Sequence, residues 1–274
     1  QVYGILGRPV SHSLSPAMHN AAFRAMGLNA VYVPFHVENL PLAVAGLRGL
    51  QVRGVSVTIP WKEDILDLLD DVDDRGRAIG AVNTVINREG RLWGTNTDWQ
   101  GALQALEEVT AVAGQRALVL GAGGAGRAIV YALRQAGAQV LVADADEFKA
   151  RTLAQEFGVS ALPLPQAGQV QAAILINATP LGMAPQVEAI PLPPESLEHF
   201  QVVMDIVYAP LQTRLLREAA ARGCQCLDGL KMLVYQGARQ FELFTGRPAP
   251  AELMRRAALA ELGQEEGIAE KKNR

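Results

Sequence analysis

The stretch RALVLGAGGAG, residues 116–126, decides the fold of this chain. Its first five residues are mostly apolar and predict a buried strand, and the glycine-rich remainder leads into a helix predicted over 125–135. The spacing G-x-G-x-x-G indicates a dinucleotide-binding loop when a strand precedes it and a helix follows it. The predicted cofactor-binding residues of this loop are Gly121, Ala122, Gly123, Gly124, Ala125 and Gly126.

Each glycine of such a loop has its own task. Gly121 permits the tight turn, Gly123 lets the backbone approach a pyrophosphate, and Gly126 allows close packing of helix and strand. The helix N-terminus adds amide donors and positive potential for phosphate. The plain alternative is a glycine-rich turn that binds nothing, but Asp144, 18 positions past Gly126, favours a cofactor site.

Asp144 follows a strand predicted over 139–143 and bears on the choice of cofactor. A carboxylate at this position accepts hydrogen bonds from the ribose 2′-hydroxyl and so favours NAD. Against a 2′-phosphate it would cost about 2 kcal/mol at a separation of about 4 Å in a water-like dielectric. Lys149 and Arg151 lie downstream and would offset part of this cost. We therefore expect an NAD(P) site with NAD preferred over NADP.

Outward from this loop, strand and helix patterns alternate along the chain, which predicts the α/β class with mostly parallel sheets. The first series has strands at 2–7, 31–37 and 54–59, helices at 16–26 and 40–50, and a hairpin within 81–93 that closes the edge of the sheet. The second series adds strands at 172–176 and 202–206 and a helix at 213–222. Helices at 229–245 and 251–262 follow, and the first of them has an apolar face wide enough to dock on another domain.

Composition excludes several classes of function. The 274 residues are 49% hydrophobic and 19% charged, with a net charge of −3 that gives no electrostatic case for binding nucleic acid. No apolar run approaches the roughly 18 residues of a membrane span. Cys224 and Cys226 are too few for a metal site and fit a reducing cytoplasm. We expect a monomer or homodimer that binds a small molecule, with the segment after Gly263 frayed.

Lys62 stands out because its position opposes local electrostatics. Pro60 suits the first position of a helix running to about residue 70, which would place Lys62 in the first turn. That end of a helix carries partial positive charge and disfavours a cation by about 0.3–1 kcal/mol. A solvated surface lysine is the plain alternative. A lysine kept there for proton transfer is the functional one.

Several separate motifs, in one order along nearly the whole chain, resemble the shikimate dehydrogenase family. They are SHSLSP at 11–16, Lys62, IGAVNT at 79–84, NTD at 96–98, NATPLGM at 177–183, DIVYAP at 205–210 and MLVYQ at 232–236. The resemblance implies reversible hydride transfer between shikimate and 3-dehydroshikimate, a step of aromatic amino acid biosynthesis. It also implies a Rossmann-type cofactor domain, residues 99–228. A discontinuous α/β substrate domain would comprise residues 1–98 and 229–274, with hinges near Asp98 and Asp228.

The same resemblance assigns roles to individual residues. Lys62 and Asp98 would be catalytic, with Lys62 exchanging the hydroxyl proton and Asp98 orienting the hydroxyl. Substrate contacts would come from Ser13, Ser15, Thr58, Asn83, Tyr208 and Gln236, with Gln240 a weaker candidate. Residues near the cofactor would include Thr179, Met183 and Gly229.

Plain alternatives exist for several of these residues. Ser15 and Asp98 would each serve as a helix N-cap. Asn83 lies in an apolar strand and needs hydrogen-bond partners if it is buried. Gln236 would line a helix surface. The serine pair has independent physical support, since hydroxyls beside a helix N-terminus form an anion site.

One departure from the family concerns the cofactor. NADP-using members commonly carry Asn-Arg-Thr after the second strand, where this chain has Ala143-Asp144-Ala145 followed by Asp146-Glu147-Phe148. The phosphate-binding arginine is therefore absent, which also raises a broader quinate/shikimate or aminoshikimate dehydrogenase as an alternative. The two serines favour shikimate over quinate. A non-catalytic shikimate or nucleotide sensor is a third hypothesis, and the presence of both Lys62 and Asp98 argues against it.

Overall fold

The computed structural model of the chain describes residues 1–263 and contains two six-stranded sheets, each accompanied by helices. The segment after Gly263, for which the sequence predicts fraying, lies outside the described residues. The strands of the first sheet are β1 (Val2–Gly7), β2 (Val31–His36), β3 (Gly54–Val57), β4 (Asp71–Val72), β5 (Thr84–Arg88) and β6 (Arg91–Thr95). Those of the second are β7 (Arg116–Leu120), β8 (Gln139–Ala143), β9 (Ser160–Ala161), β10 (Ile174–Asn177), β11 (Val202–Asp205) and β12 (Gln225–Leu227).

The helices alternate with these strands. They are α1 (Ser15–Ala25), α2 (Leu40–Gly49), α3 (Asp74–Ile79), α4 (Asp98–Glu107), α5 (Gly124–Gln135), α6 (Glu147–Phe157), α7 (Arg214–Ala221), α8 (Gly229–Thr245) and α9 (Ala251–Glu261). Short 3₁₀ turns cover Leu66–Leu68, Leu164–Gln169 and Pro194–His199. This alternation confirms the predicted α/β class.

The second sheet is parallel throughout, in the order β9-β8-β7-β10-β11-β12. Numbered from its own first strand this is 3-2-1-4-5-6, the order of dinucleotide-binding domains. The order reverses between β7 and β10, so the loops that follow these two strands flank the crevice where α/β sheets bind ligands. The glycine-rich loop follows β7 directly.

The first sheet has the order β2-β1-β3-β5-β6-β4 and is mixed. Strands β2, β1 and β3 run parallel, while β5 of the β5–β6 hairpin is antiparallel to β3. The prediction that this hairpin closes the sheet's edge is wrong. The two-residue strand β4 pairs beyond it, with Asp71 opposite Trp93, and is too short to show a periodic pattern in the sequence.

The predicted helix over residues 60–70 does not form. Lys62 lies in a turn, because its carbonyl oxygen accepts a hydrogen bond from the amide of Val82 at 2.7 Å instead of from a residue one helical turn on. Helical structure appears only in the short 3₁₀ turn that follows. The electrostatic argument from a helix N-terminus therefore does not apply to Lys62.

Helix α8 belongs to the cores of both lobes. Leu230, Val234 and Phe241 pack with α1 and α9 beside the first sheet. Met232 packs with residues of α4 and the second sheet. We call the two sheets with their helices the first lobe and the second lobe. Helix α4 follows the first sheet along the chain and lies against α8, so these two helices join the lobes.

The contact between α4 and α8 allows no side chain at Gly101. A Cβ atom there would lie 2.8 Å from the carbonyl oxygen of Met232 and 2.9 Å from the amide nitrogen of Gln236. Both of these atoms belong to the backbone of α8, which cannot move as a single side chain can. The small residue therefore sets the distance between the two helices.

We predict that Gly101→Ala lowers the free energy of unfolding by about 1–3 kcal/mol, the usual cost of overpacking. The matched control is Gly46→Ala within α2, where a Cβ atom meets nothing within 4 Å. That change should raise the free energy of unfolding by about 0.5–1 kcal/mol, because alanine is the better helix former. Urea unfolding of both variants measures the difference, and equal stabilisation by both would contradict the packing argument.

Candidate active site at the junction of the two lobes

An ion pair of Lys62 and Asp98 lies at the centre of the site. The Lys62 Nζ donates to Asp98 Oδ2 at 2.6 Å, and the two side chains are 15% and 6% exposed. Lys62 follows β3 and Asp98 begins α4, so the first sheet positions both. The cap position of α4 is Thr97, and the two carboxylate oxygens of Asp98 accept from the side chains of Lys62 and Asn83. The alternative that Asp98 is a simple N-cap is therefore wrong.

Asn83 shares the Asp98 carboxylate. Its Nδ2 donates to Asp98 Oδ1 at 2.8 Å and to Thr97 Oγ1 at 2.9 Å. Gln236 Oε1 approaches the same Nδ2 at 3.3 Å. The structure thus brings together four predicted site residues from separate parts of the chain. The buried Asn83 side chain therefore has hydrogen-bond partners within the protein itself and does not need a substrate to supply them.

A second group of predicted residues surrounds the start of α1. Ser13 Oγ accepts a hydrogen bond from the Ser15 amide at 3.3 Å. Burial raises the pKa of Tyr208, while a hydrogen bond with the Ser13 side chain opposes this rise. Ser15 is itself the first residue of α1, and the cap position belongs to Leu14. Ser15 is therefore not the N-cap that the plain alternative expected.

Thr58 joins the end of β3 to the Lys62 turn. Its amide donates to the Leu6 carbonyl at 3.0 Å and its carbonyl accepts from the Trp61 amide at 3.0 Å. The residue is half-buried. Its methyl group faces Gly7, where a Cβ atom would lie 2.3 Å away.

The glycine-rich loop shows why side chains are excluded at two of its positions. Gly121 has a φ of +107°, and a Cβ atom on Gly126 would lie 2.0 Å from the carbonyl oxygen of Gly121. Gly123 caps α5 with extended backbone, and a Cβ atom there would meet nothing within 4 Å. The open space beside this helix start fits an anionic ligand such as a pyrophosphate, which the first amides of α5 would bind.

The loop also contacts the catalytic candidate. A Cβ atom on Gly124 would lie 2.8 Å from the Cβ of Lys62. The second lobe therefore reaches the Lys62 turn of the first lobe through a glycine. This contact places the ion pair beside the dinucleotide loop.

Asp144 at the end of β8 is hydrogen-bonded to the loop. Its Oδ2 accepts from the Ala122 amide at 2.7 Å, and its Oδ1 accepts from the Asp146 amide at 2.8 Å. Each carboxylate oxygen can accept a second hydrogen bond, so the group retains capacity for a ligand. Arg151 pairs with Glu147 at 2.8 Å on the exposed surface of α6. Lys149 is exposed beside it.

The loop after β10 and the first residue of α8 supply the remaining cofactor candidates. Thr179 donates to Asn177 Oδ1 through its hydroxyl at 2.6 Å and through its amide at 3.1 Å. The Met183 amide donates to the Pro180 carbonyl at 3.1 Å in a turn. A Cβ atom on Gly229 would lie 2.3 Å from the Ile206 carbonyl oxygen, so α8 begins against the end of β11.

Sequence reasoning missed a buried polar pair behind these loops. Asn177 ends β10 and donates through Nδ2 to Asp205 Oδ1 at 3.0 Å, and Thr213 donates to Asp205 Oδ2 at 2.7 Å. Asn177 and Asp205 each begin a family motif, and each is a polar residue that ends a buried strand. That pattern was the signal that would have found them. Thr97, a partner of Asn83, was missed in the same way.

The described part of the chain contains neither a metal-binding cluster nor a helix that could span a membrane. Residues 1–263 contain no group of three or more His, Cys, Asp or Glu side chains that would hold a metal ion. In the same residues, no helix has the length and apolar character that crossing a bilayer requires.

Comparisons with known protein families divide the chain into three matched segments. The family described as the shikimate dehydrogenase substrate binding domain matches residues 5–85, and the shikimate 5′-dehydrogenase C-terminal domain matches residues 229–259. Residues 116–207 match the family described as NADP oxidoreductase, coenzyme F420-dependent.

Individual relatives match over nearly the full length. Shikimate dehydrogenase (NADP(+)) of Pyrococcus abyssi is 48% identical over 266 residues, which cover 96% of this chain and 99% of that protein. A crystal structure of shikimate 5-dehydrogenase from Thermus thermophilus in complex with NADP(H) and shikimate is 45% identical, with a TM-score of 0.88 and coverage of 95% and 99%. Quinate dehydrogenase from Corynebacterium glutamicum in complex with NAD is 32% identical, with a TM-score of 0.86 and coverage of 94% and 98%.

A sheet of dinucleotide-binding order, with a buried lysine–aspartate pair beside its glycine loop, defines a nicotinamide-dependent oxidoreductase. The full-length identities narrow this class. The chain belongs to the shikimate dehydrogenase family. The predictions of family, fold class and enzyme class are confirmed.

The buried carboxyl group of Asp205 makes the stability of the folded protein depend on pH. Burial raises the pKa of its carboxyl from 3.8 to about 6, against hydrogen bonds from Thr213, Val207 and Asn177 that lower it. The folded state therefore binds this proton more tightly than the unfolded state. The stability that it contributes is present below about pH 4 and is lost as the pH rises through about 6.

We predict that the wild type loses about 2 kcal/mol of unfolding free energy relative to Asp205→Asn between about pH 4 and pH 7. The asparagine cannot titrate, so subtracting the two curves cancels the other ionisable groups. Urea unfolding across this range measures the difference. A difference that does not change with pH would show that Asp205 titrates normally.

Proposed function

We propose that this chain catalyses the reversible reduction of 3-dehydroshikimate to shikimate with a nicotinamide cofactor, a step of aromatic amino acid biosynthesis. The observation that carries the proposal is the Lys62–Asp98 pair held against Gly124 of the dinucleotide loop. Oxidation of a secondary alcohol requires loss of a hydroxyl proton as hydride leaves the same carbon. The site has a proton carrier at the place where the two lobes meet.

The bound cofactor would supply or accept the hydride. Lys62 would exchange the hydroxyl proton, and its Nζ is the only cationic donor hydrogen-bonded to Asp98 among the described residues. Asp98 would orient both the lysine and the hydroxyl, because a buried carboxylate holds hydrogen-bond donors in fixed directions. Asn83 donates to the other carboxylate oxygen and so opposes rotation of the Asp98 side chain.

The substrate would be held at both of its ends. Ser13 and Ser15, with the first amides of α1, would bind the carboxylate, and Tyr208 lies beside Ser13 to complete this subsite. Thr58, Asn83 and Gln236 would bind the ring hydroxyls. The 3.3 Å contact of Gln236 with Asn83 places these two amides side by side near Asp98.

The cofactor would lie across the carboxyl ends of β7 and β10. The six residues of the glycine loop, 121–126, would hold the pyrophosphate, and Asp144 would accept from the adenosine ribose. Thr179, Met183 and Gly229 would line the nicotinamide end. The open backbone at Gly123 supports this placement, because a Cβ atom there would meet nothing within 4 Å among the described residues.

We further propose that the chain uses NAD in preference to NADP. The Pyrococcus relative is named for NADP(+) and the Thermus structure contains NADP(H), so neither favours NAD, and the proposal is argued mainly from local charge. Asp144, Asp146 and Glu147 form an acidic run where a 2′-phosphate would lie, and exposed Ala145 offers no cation. The Corynebacterium quinate dehydrogenase, a similar chain whose structure is in complex with NAD, supports the proposal.

A quinate/shikimate dehydrogenase is the second candidate function, favoured by that same structure. It differs in substrate range and not in mechanism, and a panel of shikimate, quinate and aminoshikimate separates the two. The division into residues 1–98 with 229–274 and residues 99–228 stays a prediction, supported by the family matches at both ends of the chain. The monomeric or dimeric state and the cytoplasmic location likewise stay predictions.

We predict that Lys62→Ala lowers kcat for shikimate oxidation by roughly 10²-fold or more, the usual contribution of a general acid–base group. Absorbance at 340 nm reports the reaction with either oxidised cofactor. Lys231→Ala is the matched control, since it removes an exposed lysine paired with Glu108 and should leave kcat unchanged. Near-normal turnover of the Lys62 variant, with its fold intact by circular dichroism, would remove Lys62 from the mechanism.

We predict that Ala145→Arg shifts the ratio of kcat/KM for NADP⁺ over NAD⁺ upward by about tenfold or more, through attraction of the 2′-phosphate. Ala145 is exposed, so the new side chain leaves the hydrogen bonds of Asp144 undisturbed. Ala145→Gln is the control of similar length without charge. A wild-type enzyme that already favours NADP⁺ would refute the preference proposed here.

A further inference from the structure

A chain of buried hydrogen bonds runs behind the active site and ends at Asn83. The Tyr32 hydroxyl bonds to Ser56 Oγ at 2.5 Å, and Ser56 Oγ bonds to Gln240 Oε1 at 2.6 Å. Gln240 Nε2 donates to Thr84 Oγ1 at 3.0 Å, and Thr84 Oγ1 donates to Asn83 Oδ1 at 2.7 Å. Every member is at most 4% exposed, so no water competes for these groups.

The direction of each hydrogen bond follows from the chemistry of its members. Gln240 Oε1 can only accept, so the single hydrogen of Ser56 points to it and Tyr32 must donate to Ser56. The Gln240 amide is thereby oriented with Nε2 toward β5. There it donates to the Asn83 carbonyl oxygen at 3.0 Å as well as to Thr84.

The last bond fixes the orientation of the Asn83 side chain. Thr84 uses a lone pair for Gln240, and its single hydrogen goes to Asn83 Oδ1. The Thr97 amide donates to the same oxygen at 2.8 Å. A flipped Asn83 amide would place its NH₂ group against both donors, which is costly in a buried site. Nδ2 therefore faces Asp98 Oδ1.

We propose that Thr84 and Gln240 are positioning residues that fix the Asn83 amide and, through it, the Asp98 carboxylate. This proposal rests on the proposed function, because it assumes that Asp98 acts on the substrate. It also replaces the expectation that Gln240 contacts the substrate. Gln240 is 1% exposed, and its oxygen and nitrogen are both hydrogen-bonded within the protein.

The test compares Thr84→Val with Thr84→Ser in the full-length enzyme. Valine keeps the shape of threonine but lacks the hydroxyl, whereas serine keeps the hydroxyl and lacks the methyl group. We expect Thr84→Val to lower kcat for shikimate oxidation about tenfold or more, since loss of orientation near a reacting group is expensive. Thr84→Ser should retain near-normal kcat, and KM for the cofactor should be unchanged in both variants.

A purely space-filling role for Thr84 gives the reverse order. Valine would then preserve activity, and serine, which leaves a small cavity, would be the weaker enzyme. Normal kcat in Thr84→Val, or equal losses in both variants, overturns the proposal. If Thr84→Val does not fold, Ser56→Ala takes its place, because it frees the Gln240 amide to turn. An unchanged kcat in Ser56→Ala would then overturn it.

Failure of this proposal is separable from failure of the proposed function. If the wild type does not oxidise shikimate, or if Lys62→Ala does so normally, the enzymatic assignment itself fails. If the wild type is active, Lys62→Ala is inactive and Thr84→Val behaves as wild type, only the positioning role is lost.

Discussion

The arrangement of the two lobes depends on keeping the Lys62–Asp98 ion pair almost completely buried. Moving a lysine and an aspartate out of water costs several kcal/mol per ion, and their attraction offsets that cost only when the geometry is good and other hydrogen bonds complete the site. Here Asp98 Oδ2 receives Lys62 and Asp98 Oδ1 receives Asn83. Asn83 is in turn held by Thr84 and Thr97. The polar side chains around the pair thus form a connected network, which is the condition for burying charge without a large penalty.

How much of the site the sequence predicts depends on whether the contacts that position each residue are local or come from distant parts of the chain. The glycine loop and its flanking strand and helix are set by neighbours within a few residues, so spacing alone located them. The predicted Lys62 helix failed because the carbonyl of Lys62 is taken by Val82, 20 residues further along the chain. The expectation that Ser15 and Asp98 are helix N-caps was wrong by one position in each case. Leu14 occupies the cap position of α1, and the Asp98 carboxylate accepts a hydrogen bond from Lys62 instead. Local patterns do not contain such competing tertiary partners.

The hydrogen-bond network of Thr84, Gln240 and Asn83 could not be predicted from the sequence, because its members come from distant parts of the chain. Asn83 meets Gln236 across 153 residues, and Thr84 meets Gln240 across 156. The resemblance to known enzymes identified residues expected to touch substrate, since these carry the motifs. It could not show that Gln240, one turn beyond Gln236 on α8, faces into the first lobe toward Ser56. Only the docking of α8 on the first sheet reveals which side of the helix each glutamine occupies.

The start of α5 connects the proposed cofactor site with the proposed proton carrier, Lys62. Its glycine loop is the predicted phosphate site, and the Lys62 side chain lies against Gly124 of the same loop. Three residues on, Arg127 Nε donates to the Ile79 carbonyl of the first lobe at 2.6 Å. The segment after Ile79 contains Val82, whose amide holds the Lys62 turn. One helix start therefore contacts the Lys62 turn twice, directly at Gly124 and indirectly through Arg127. A cofactor that orders this loop would, by the same contacts, order the side chain of Lys62, the proposed proton carrier.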